Sequence, residues 1–421
     1  GNFEKDFPDV QEIRLEQNYR STGTILAAAN GVIKHNTNRK DKELWSGNGN
    51  GKPIEIYMPE NEAAEADFIA ETIQGICAEE KRNYDDFGVL MRANTQSRAI
   101  EEAFLESNIP YTMSGGTSFF ERKEIKDIIS YLRVISNHDD DINLLRIINT
   151  PRRGLGRTTI EAVNKVSDIM GFSLWEGIKA IIESSAEECP VSEKTRADLG
   201  AFISLIESYK TMLSGKGLSK KVRALVDEIA YFDYLISENP KSEKAARFKY
   251  MNIESLIKSM EQWENNPEHE DTSLFAYLNR ITLLSRDDLD DGEQDKGKVN
   301  LMTVHASKGL EFPVVFIAGA EEGLMPHARA VEEGGEQAIE EERRLFYVAV
   351  TRARDRLFIS SCLKRRKMTA TVECAPSRFL EEIPESLVEY HEPSKEVSDE
   401  QAHELLQNML KNMSRPRVPK L

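Results

Sequence analysis

Short apolar stretches alternate with helical stretches in the N-terminal part of the chain. PIEIYMP (residues 53–59) and DFGVLMR (residues 86–92) are rich in β-forming side chains and predict two strands. The stretch between them repeats apolar side chains at the spacing of one helix face: Ala66, Ile69, Ala70, Ile73 and Ile76. A further strand is predicted at residues 12–16, leading into a helix that opens at Ser21 or Thr22. This alternation predicts an α/β domain with a parallel sheet covered by helices.

The pattern changes to long helical stretches between residues 111 and 284, with few strand candidates. An acidic, glycine-containing segment, RDDLDDGEQDKGK (residues 286–298), then suits a solvated connection. Alternation returns after it. Residues 299–306, 313–319 and 356–360 predict strands, and AIEEERRLFYVAVTRA (residues 338–353) predicts a helix.

Neither α/β stretch alone offers enough strands for an ordinary sheet, so we predict one discontinuous domain with a helical insertion. Its two parts are residues 1–113 and 296–385. Residues 114–295 form the predicted insertion. Residues 386–421 are polar, and we expect a poorly ordered tail there.

The composition excludes several classes of protein. A chain of 421 residues with 40% hydrophobic content can bury more than one core. The four cysteines form no CxxC pair and the seven histidines no HxxxH, so no disulfide framework, zinc site or other metal site is predicted. There is no apolar run of membrane-spanning length and no secretory signal character, so we expect a cytoplasmic protein without a membrane partner. The first residue is Gly1 rather than methionine, which suggests a piece of a longer protein.

The net charge of −17 argues weakly against broad nonspecific binding to nucleic acid. It does not exclude local patches of positive charge that bind it. Three segments carry candidate chemistry. In LEQNYRST (residues 15–22), Arg20 follows the end of a predicted parallel strand, where α/β sheets bind ligands at their carboxyl edge. A guanidinium there suits a phosphate, and Tyr19 could stack on a flat ring. A structural arginine paired with a carboxylate is an equally good interpretation of this stretch alone.

The other two segments follow the acidic connection. TVHASKGLEFPVVFIAG (residues 303–319) places several polar side chains between two predicted core strands. Burying them costs free energy unless they bind a ligand or one another. The alternative is a solvated loop. In EEERRLFYVAVTRARDRLFIS (residues 340–360), Arg352 and Arg354 are predicted in the last helical turn, where they complement the helix dipole. Together with Arg20, Arg352 could instead form a phosphate clamp.

The insertion holds a glycine-containing segment, PRRGLGRTT (residues 151–159). Its glycines allow backbone amides to approach a phosphate closely, a helix is predicted to start at Thr158 or Thr159, and arginines add positive charge. By itself this pattern is more often a plain turn.

Three segments in order, QNYRS, TVHASKGLEFPVVF and EEERRLFYVAVTRARDRL, resemble the fourth, fifth and sixth motifs of superfamily 1 DNA helicases of the UvrD/PcrA type. The order and spacing of the three segments agree with those of the family, including a large insertion between the fourth and fifth motifs. YTMSGGTSFFERKEIKDIISYLRVI and PRRGLGRTTI are also similar. The resemblance covers almost everything up to residue 384.

The resemblance implies the second of two RecA-like (P-loop NTPase-like) domains that grip ATP at their interface. At the positions that match the family's motifs, the resemblance implies that Tyr19 stacks on adenine and that Glu311 approaches the ribose. It also implies that Arg20 and Arg352 contact the γ-phosphate as catalytic groups. A second set is expected to line the single-stranded DNA track: Asn94, Thr303, His305 and His327. A third set is expected to contact duplex DNA from the insertion: Arg152, Arg153, Gly154, Gly156 and Thr158.

No GxxxxGK[ST] phosphate loop occurs in the chain. We therefore predict that ATP and Mg²⁺ require an N-terminal RecA-like half, and that this chain alone does not hydrolyse ATP. The predicted function is that of the C-terminal portion of a three-prime to five-prime DNA helicase in repair or replication. Repair, replication or transcription proteins are possible partners. The alternatives are a non-catalytic DNA-binding or scaffold protein with this fold, and the helicase part of a recombination nuclease.

Overall fold

A seven-stranded parallel sheet is the centre of the fold. The computed structural model describes residues 18–37, 45–46, 49–285, 297–367 and 370–391. The strands, in chain order, are β1 (Asn18–Tyr19), β2 (Trp45–Ser46), β3 (Ile54–Tyr57), β4 (Phe87–Met91), β5 (Tyr111–Ser114), β6 (Val299–Thr303), β7 (Phe312–Ile317), β8 (Ala353–Ser360), β9 (Lys364–Lys367), β10 (Ala370–Glu373) and β11 (Val388–His391). The large sheet has the order β11-β3-β8-β7-β4-β6-β5, and its strands pair in parallel.

Two smaller ladders stand beside this sheet. β1 pairs in parallel with β2, and β9 pairs with β10 as an antiparallel hairpin. Because β1 is not part of the large sheet, the strand that precedes Arg20 does not end at the large sheet's carboxyl edge. The strand predicted at residues 12–16 lies outside the described residues.

Fifteen helices are described in these parts of the chain. They are α1 (Gly23–Ile33), α2 (Glu62–Glu80), α3 (Ser97–Glu106), α4 (Lys123–Ser136), α5 (Asp141–Ile147), α6 (Arg157–Met170), α7 (Leu174–Glu183), α8 (Glu193–Met212), α9 (Leu218–Glu228), α10 (Tyr231–Glu238), α11 (Glu243–Asn265), α12 (Leu274–Ser285), α13 (Ala328–Glu333), α14 (Gly335–Thr351) and α15 (Arg378–Glu381). None of the helices in the described ranges is long and apolar enough to cross a membrane.

Helices cover both faces of the large sheet. On one face, α1, α14 and α15 share a core with the inward side chains of β7 and β8, such as Val315 and Leu357. On the other face, α2 and α3 pack against Val89 and Phe316. α4 to α12 build a separate hydrophobic core. The predicted α/β fold with a large helical insertion is therefore confirmed, because strands from both sides of the insertion pair within one RecA-like sheet.

The C-terminal part of the fold departs from the sequence prediction in two places. α14 ends at Thr351 and β8 already begins at Ala353, because the Phe312 amide donates to the Arg352 carbonyl (2.8 Å) and starts the strand pairing there. Arg354 therefore lies in a strand rather than in the last helical turn. Residues 388–391, predicted within the tail, instead pair with β3 as an edge strand. The rest of the predicted tail, residues 392–421, lies outside the described residues.

Candidate functional site

Hydrogen bonds between distant segments assemble one candidate site at the amino ends of β7 and β8. The Ser21 hydroxyl donates to the Ala353 carbonyl (2.6 Å), and the Thr22 amide donates to the Arg354 carbonyl (2.9 Å). Ser21 is buried, so its hydroxyl needs this acceptor. These bonds place Arg20 beside the turn that joins α14 to β8.

Arg20 and Glu311 meet at this amino edge. Their side chains form an ion pair with 3.9 Å between Nη1 and Oε1, and they are 74% and 40% exposed. An exposed pair of this kind contributes at most about 1 kcal/mol to stability. An anionic ligand could therefore replace Glu311 as the partner of Arg20 at little cost. The side chain of Tyr19 lies outside the described residues.

Arg352 caps the C-terminal end of α14. Its Nε donates to the Val348 carbonyl (3.1 Å), and its Nη1 lies 3.4 Å from the Ser307 carbonyl. The helix-end interpretation of Arg352 is thus correct for this structure. It does not exclude the phosphate interpretation, because neutral carbonyls are weaker partners for a guanidinium than a phosphate is.

The prediction that Arg20 lies at the carboxyl edge of the large sheet is wrong. Glu311 and Arg352 directly precede β7 and β8, and Arg20 is held next to them, so all three lie at the amino edge. The reason is that β1 pairs with β2 outside the large sheet. The rule for ligand sites in α/β sheets could not reveal this, since it assumes that the strand belongs to the main sheet.

The residues predicted to touch single-stranded DNA lie at the opposite, carboxyl edge. Asn94 follows β4, Thr303 ends β6, His305 comes next, and His327 lies beyond the end of β7. Asn94 donates to the Gly115 carbonyl (3.3 Å), and Asn94 and His305 are exposed. The Arg329 amide donates to Nδ1 of His327 (3.3 Å), which makes His327 the N-cap of α13. The structure groups the four residues along one edge.

Two glycines that the sequence analysis did not select complete this edge. Gly115 has φ +83°, and a Cβ there would lie 2.4 Å from the Thr303 hydroxyl. A Cβ on Gly116 would lie 2.9 Å from Cβ of Asn94. The signal in the sequence is the adjacent glycine pair of SGGTS (residues 114–118), which directly follows a strand.

One short segment joins the two edges. Residues 304–311 leave the carboxyl end of β6 and reach the amino end of β7, although β4 lies between these two strands. Val304 and Ser307 are fully buried, and the Ser307 hydroxyl donates to the Val304 carbonyl (2.5 Å). The Ser307 hydroxyl and carbonyl thus meet Val304 and Arg352, whereas the side chains of His305 and Lys308 are exposed, as the solvated-loop interpretation expected.

In the insertion, the loop between α5 and α6 contains the predicted duplex-contacting residues. Gly156 is the N-cap of α6 and offers no side-chain acceptor, while Thr158 in the first turn is exposed. The side chain of Arg152 is 81% exposed, 3.3 Å from a Glu238 carboxylate oxygen. A helix start without a side-chain cap and a nearby guanidinium suit a phosphate.

Arg153 differs from Arg152. Its Nη1 donates to the carbonyls of Ile147 (2.7 Å) and Ile148 (3.2 Å), and its Nη2 donates to the Tyr131 hydroxyl. The guanidinium also lies 5.2 Å from the centre of the Phe202 ring. Arg153 therefore stabilises the C-terminal end of α5 and the loop, a role that the sequence alone did not indicate.

Within the described residues, one cluster has metal-ligand composition: Glu65, Glu321 and Cys362. The Arg365 guanidinium occupies it, at 2.9 Å from Glu65 and 2.5 Å from Glu321. Burial, with the nearby Glu65 carboxylate, raises the pKa of the Cys362 thiol and disfavours the thiolate that a metal would need. The cluster is a buried ion-pair network that ties α2 to the β9 hairpin.

Comparison with known proteins assigns the family. Residues 13–364 match the family model described as the UvrD-like helicase C-terminal domain. The chain is 42% identical over 394 residues to the ATP-dependent DNA helicase PcrA of Staphylococcus aureus (strain MRSA252), and 40% identical over 402 residues to that of Bacillus subtilis (strain 168). Each match covers 94% of this chain and 52% of the relative, so the chain spans about half of their length.

Among solved structures, the chain is similar to the C-terminal domain of a possible DNA helicase from Lactobacillus plantarum WCFS1. That match has a TM-score of 0.33 at 11% identity, and it covers 89% of this chain and 100% of the other.

Proposed function

Because the chain belongs to the family of UvrD-like helicase C-terminal domains, we propose that it is the C-terminal portion of an ATP-dependent DNA helicase that moves from three-prime to five-prime. The arrangement that supports this most is the separation of two polar groups to opposite edges of one sheet. Arg20, Glu311 and Arg352 lie at the amino edge, and the proposed DNA track lies at the carboxyl edge.

At the amino edge, the proposed site is half of an ATP site. Arg20 and Arg352 would contact the γ-phosphate and stabilise the negative charge that develops during hydrolysis. Tyr19 would stack on the adenine, and Glu311 would approach the ribose once its exposed pairing with Arg20 is given up. Mg²⁺ would neutralise part of the phosphate charge and would be held by the N-terminal RecA-like half, because a phosphate loop is missing from this sequence.

At the carboxyl edge, Asn94, Thr303, His305 and His327 would contact single-stranded DNA without sequence preference. The segment 304–311 would transmit movement between DNA and nucleotide, because it spans the sheet and contacts Arg352. Duplex DNA would contact the loop of the insertion through Arg152, the backbone around Gly154 and Gly156, and Thr158. A cytoplasmic location and a role in repair or replication belong to the same proposal.

The complete protein, meaning this chain joined to its N-terminal RecA-like half, is expected to hydrolyse ATP in response to single-stranded DNA and to unwind duplexes with a three-prime tail. The chain alone is expected to release no phosphate above background. Phosphate release measures ATP hydrolysis. Strand separation on duplexes with a three-prime or a five-prime tail measures unwinding and its direction. DNA binding without ATP turnover in the complete protein would instead support a non-catalytic scaffold.

The two neighbouring arginines of the insertion are expected to respond differently to substitution. Arg152→Ala should weaken duplex binding and reduce the slope of log K against log salt by about one, as expected for one lost phosphate contact. Arg153→Ala should mainly lower the free energy of unfolding, by about 1–3 kcal/mol, because several buried carbonyls lose their donor. Salt titrations of duplex binding and urea unfolding separate the two effects. A duplex affinity of Arg152→Ala equal to that of the unmodified chain contradicts the proposed contact.

A further inference from the structure

A buried ion pair connects the proposed DNA edge with the helix that carries Arg352. Arg92 follows β4 and lies two positions before Asn94. Its Nε and Nη2 both donate to the Glu342 carboxylate, at 2.9 and 2.8 Å. The Arg92 side chain is 21% exposed and that of Glu342 is 5% exposed. The pair is therefore shielded from solvent and has the two-pronged geometry that fixes both partners.

Glu342 and Arg352 belong to the same rigid element. Glu342 lies in α14, and Arg352 is the C-cap of this helix. At about 1.5 Å per residue, the helix spans about 15 Å between them. A displacement of Arg92 that keeps the ion pair must therefore move α14 and, with it, Arg352.

The pair is difficult to break while the domain stays folded. Removing one partner of a buried pair leaves the other charge without compensation in a poorly solvated position. The loop that bears Asn94 and the helix that ends at Arg352 are thus linked more firmly than two exposed elements would be. The pair also lies outside the segment 304–311, so it forms a second connection between the two edges.

We propose that the Arg92–Glu342 ion pair is a positioning element that couples DNA at the carboxyl edge to the placement of Arg352 at the amino edge. The inference rests on the proposed function, because it assumes that both edges bind their ligands. Arg92 and Glu342 touch neither ligand. They act through Asn94 and Arg352.

The chain offers a matched control on the same helix. Arg343, the residue after Glu342, donates from Nε and Nη2 to both oxygens of Glu382 (2.9 and 2.8 Å). These side chains are 11% and 12% exposed. This pair resembles Arg92–Glu342 in geometry and burial, but it joins α14 to the end of α15 instead of the loop that carries Asn94. Glu382→Gln is therefore the control for Glu342→Gln.

The experiment measures the affinity of the complete protein for single-stranded DNA with and without a nonhydrolysable ATP analogue. The ratio of the two dissociation constants is the coupling factor, which is reciprocal between the two ligands. Glu342→Gln is expected to move the coupling factor closer to one by about fivefold or more. A fivefold effect is at the lower end of ordinary coupling between two sites. Glu382→Gln should keep the original factor. Thermal unfolding of both variants shows whether folding is retained.

If Glu342→Gln fails to fold, Arg92→Lys replaces it, because lysine keeps the charge but cannot form the two-pronged contact. An unchanged coupling factor in a folded variant, or an equal loss in Glu382→Gln, overturns the positioning role. A complete unmodified protein whose DNA affinity does not respond to the ATP analogue contradicts the proposed function instead. The two failures are therefore distinguishable.

Discussion

Replacing Arg352 by alanine in the complete protein is expected to lower DNA-stimulated ATP turnover by about 10³-fold, the lower end of the range for arginines that stabilise phosphoryl transfer. Arg352 lies at the amino edge of the sheet, and its guanidinium donates to the Val348 and Ser307 carbonyls and the Thr351 hydroxyl. A γ-phosphate offers it a stronger partner. The loss should fall on kcat, because the stabilised charge develops only in the transition state.

The measurement is the steady-state rate of phosphate release at saturating ATP and single-stranded DNA. Arg344→Ala is the control, because Arg344 lies on the same helix and its pair with Glu341 is exposed at the surface. Arg352→Lys should recover part of the rate, since it keeps the charge without the planar fork. Turnover within a few-fold of the unmodified protein in Arg352→Ala would remove this residue from the ATP site.

Replacing Arg122 by alanine is expected to lower the free energy of unfolding by about 3–5 kcal/mol, the usual cost of leaving one member of a buried ion pair without its partner. Glu101, which is 0% exposed, receives a hydrogen bond from Arg122 Nη2 at 2.7 Å. The Phe119 amide (2.8 Å) and the Tyr111 hydroxyl (2.9 Å) donate to the same carboxylate. These neutral donors do not replace the lost charge.

The same network extends further into the helical insertion, to which Arg122 itself belongs. Arg122 Nη1 lies 3.4 Å from the Asn252 side-chain oxygen, and Asn252 in α11 also donates to Glu124 (2.7 Å). Urea unfolding of Arg122→Ala measures the loss. Arg157→Ala serves as the control, because its pair with Glu161 is exposed and is worth at most about 0.5 kcal/mol. A loss no larger than that of the control would show that Glu101 does not depend on the charge of Arg122.

Much of the candidate site could be predicted from the sequence. Arg20 and Glu311 lie far apart in the chain, and the motifs nevertheless placed them in one site, where the structure shows an ion pair. Likewise, Asn94, Thr303, His305 and His327 were predicted along one track, and they lie along one edge. These groupings came from the resemblance of short motifs to those of a helicase family, not from the local pattern of each segment.

Other features could not be predicted. Arg152 and Arg153 are identical neighbours in sequence, but one is exposed and the other lies among carbonyls and aromatic rings. Arg92 and Glu342 pair across 250 residues, and neither position was selected from the sequence. Both outcomes depend on which helices pack together, and local composition does not specify that packing.

The sequence by itself determined the alternation of strands and helices and the presence of a helical insertion, because these depend on side-chain periodicity. The resemblance to helicase motifs, rather than periodicity, selected the charged site residues. The tertiary structure alone decided which strands are neighbours, and that Arg20, which follows a strand paired outside the large sheet, lies at the amino edge beside Glu311. The neighbouring strands at the centre of the large sheet follow the order β8-β7-β4-β6. That order arises from backbone pairing between segments on both sides of the insertion, and backbone hydrogen bonds are the same whatever side chains the strands carry.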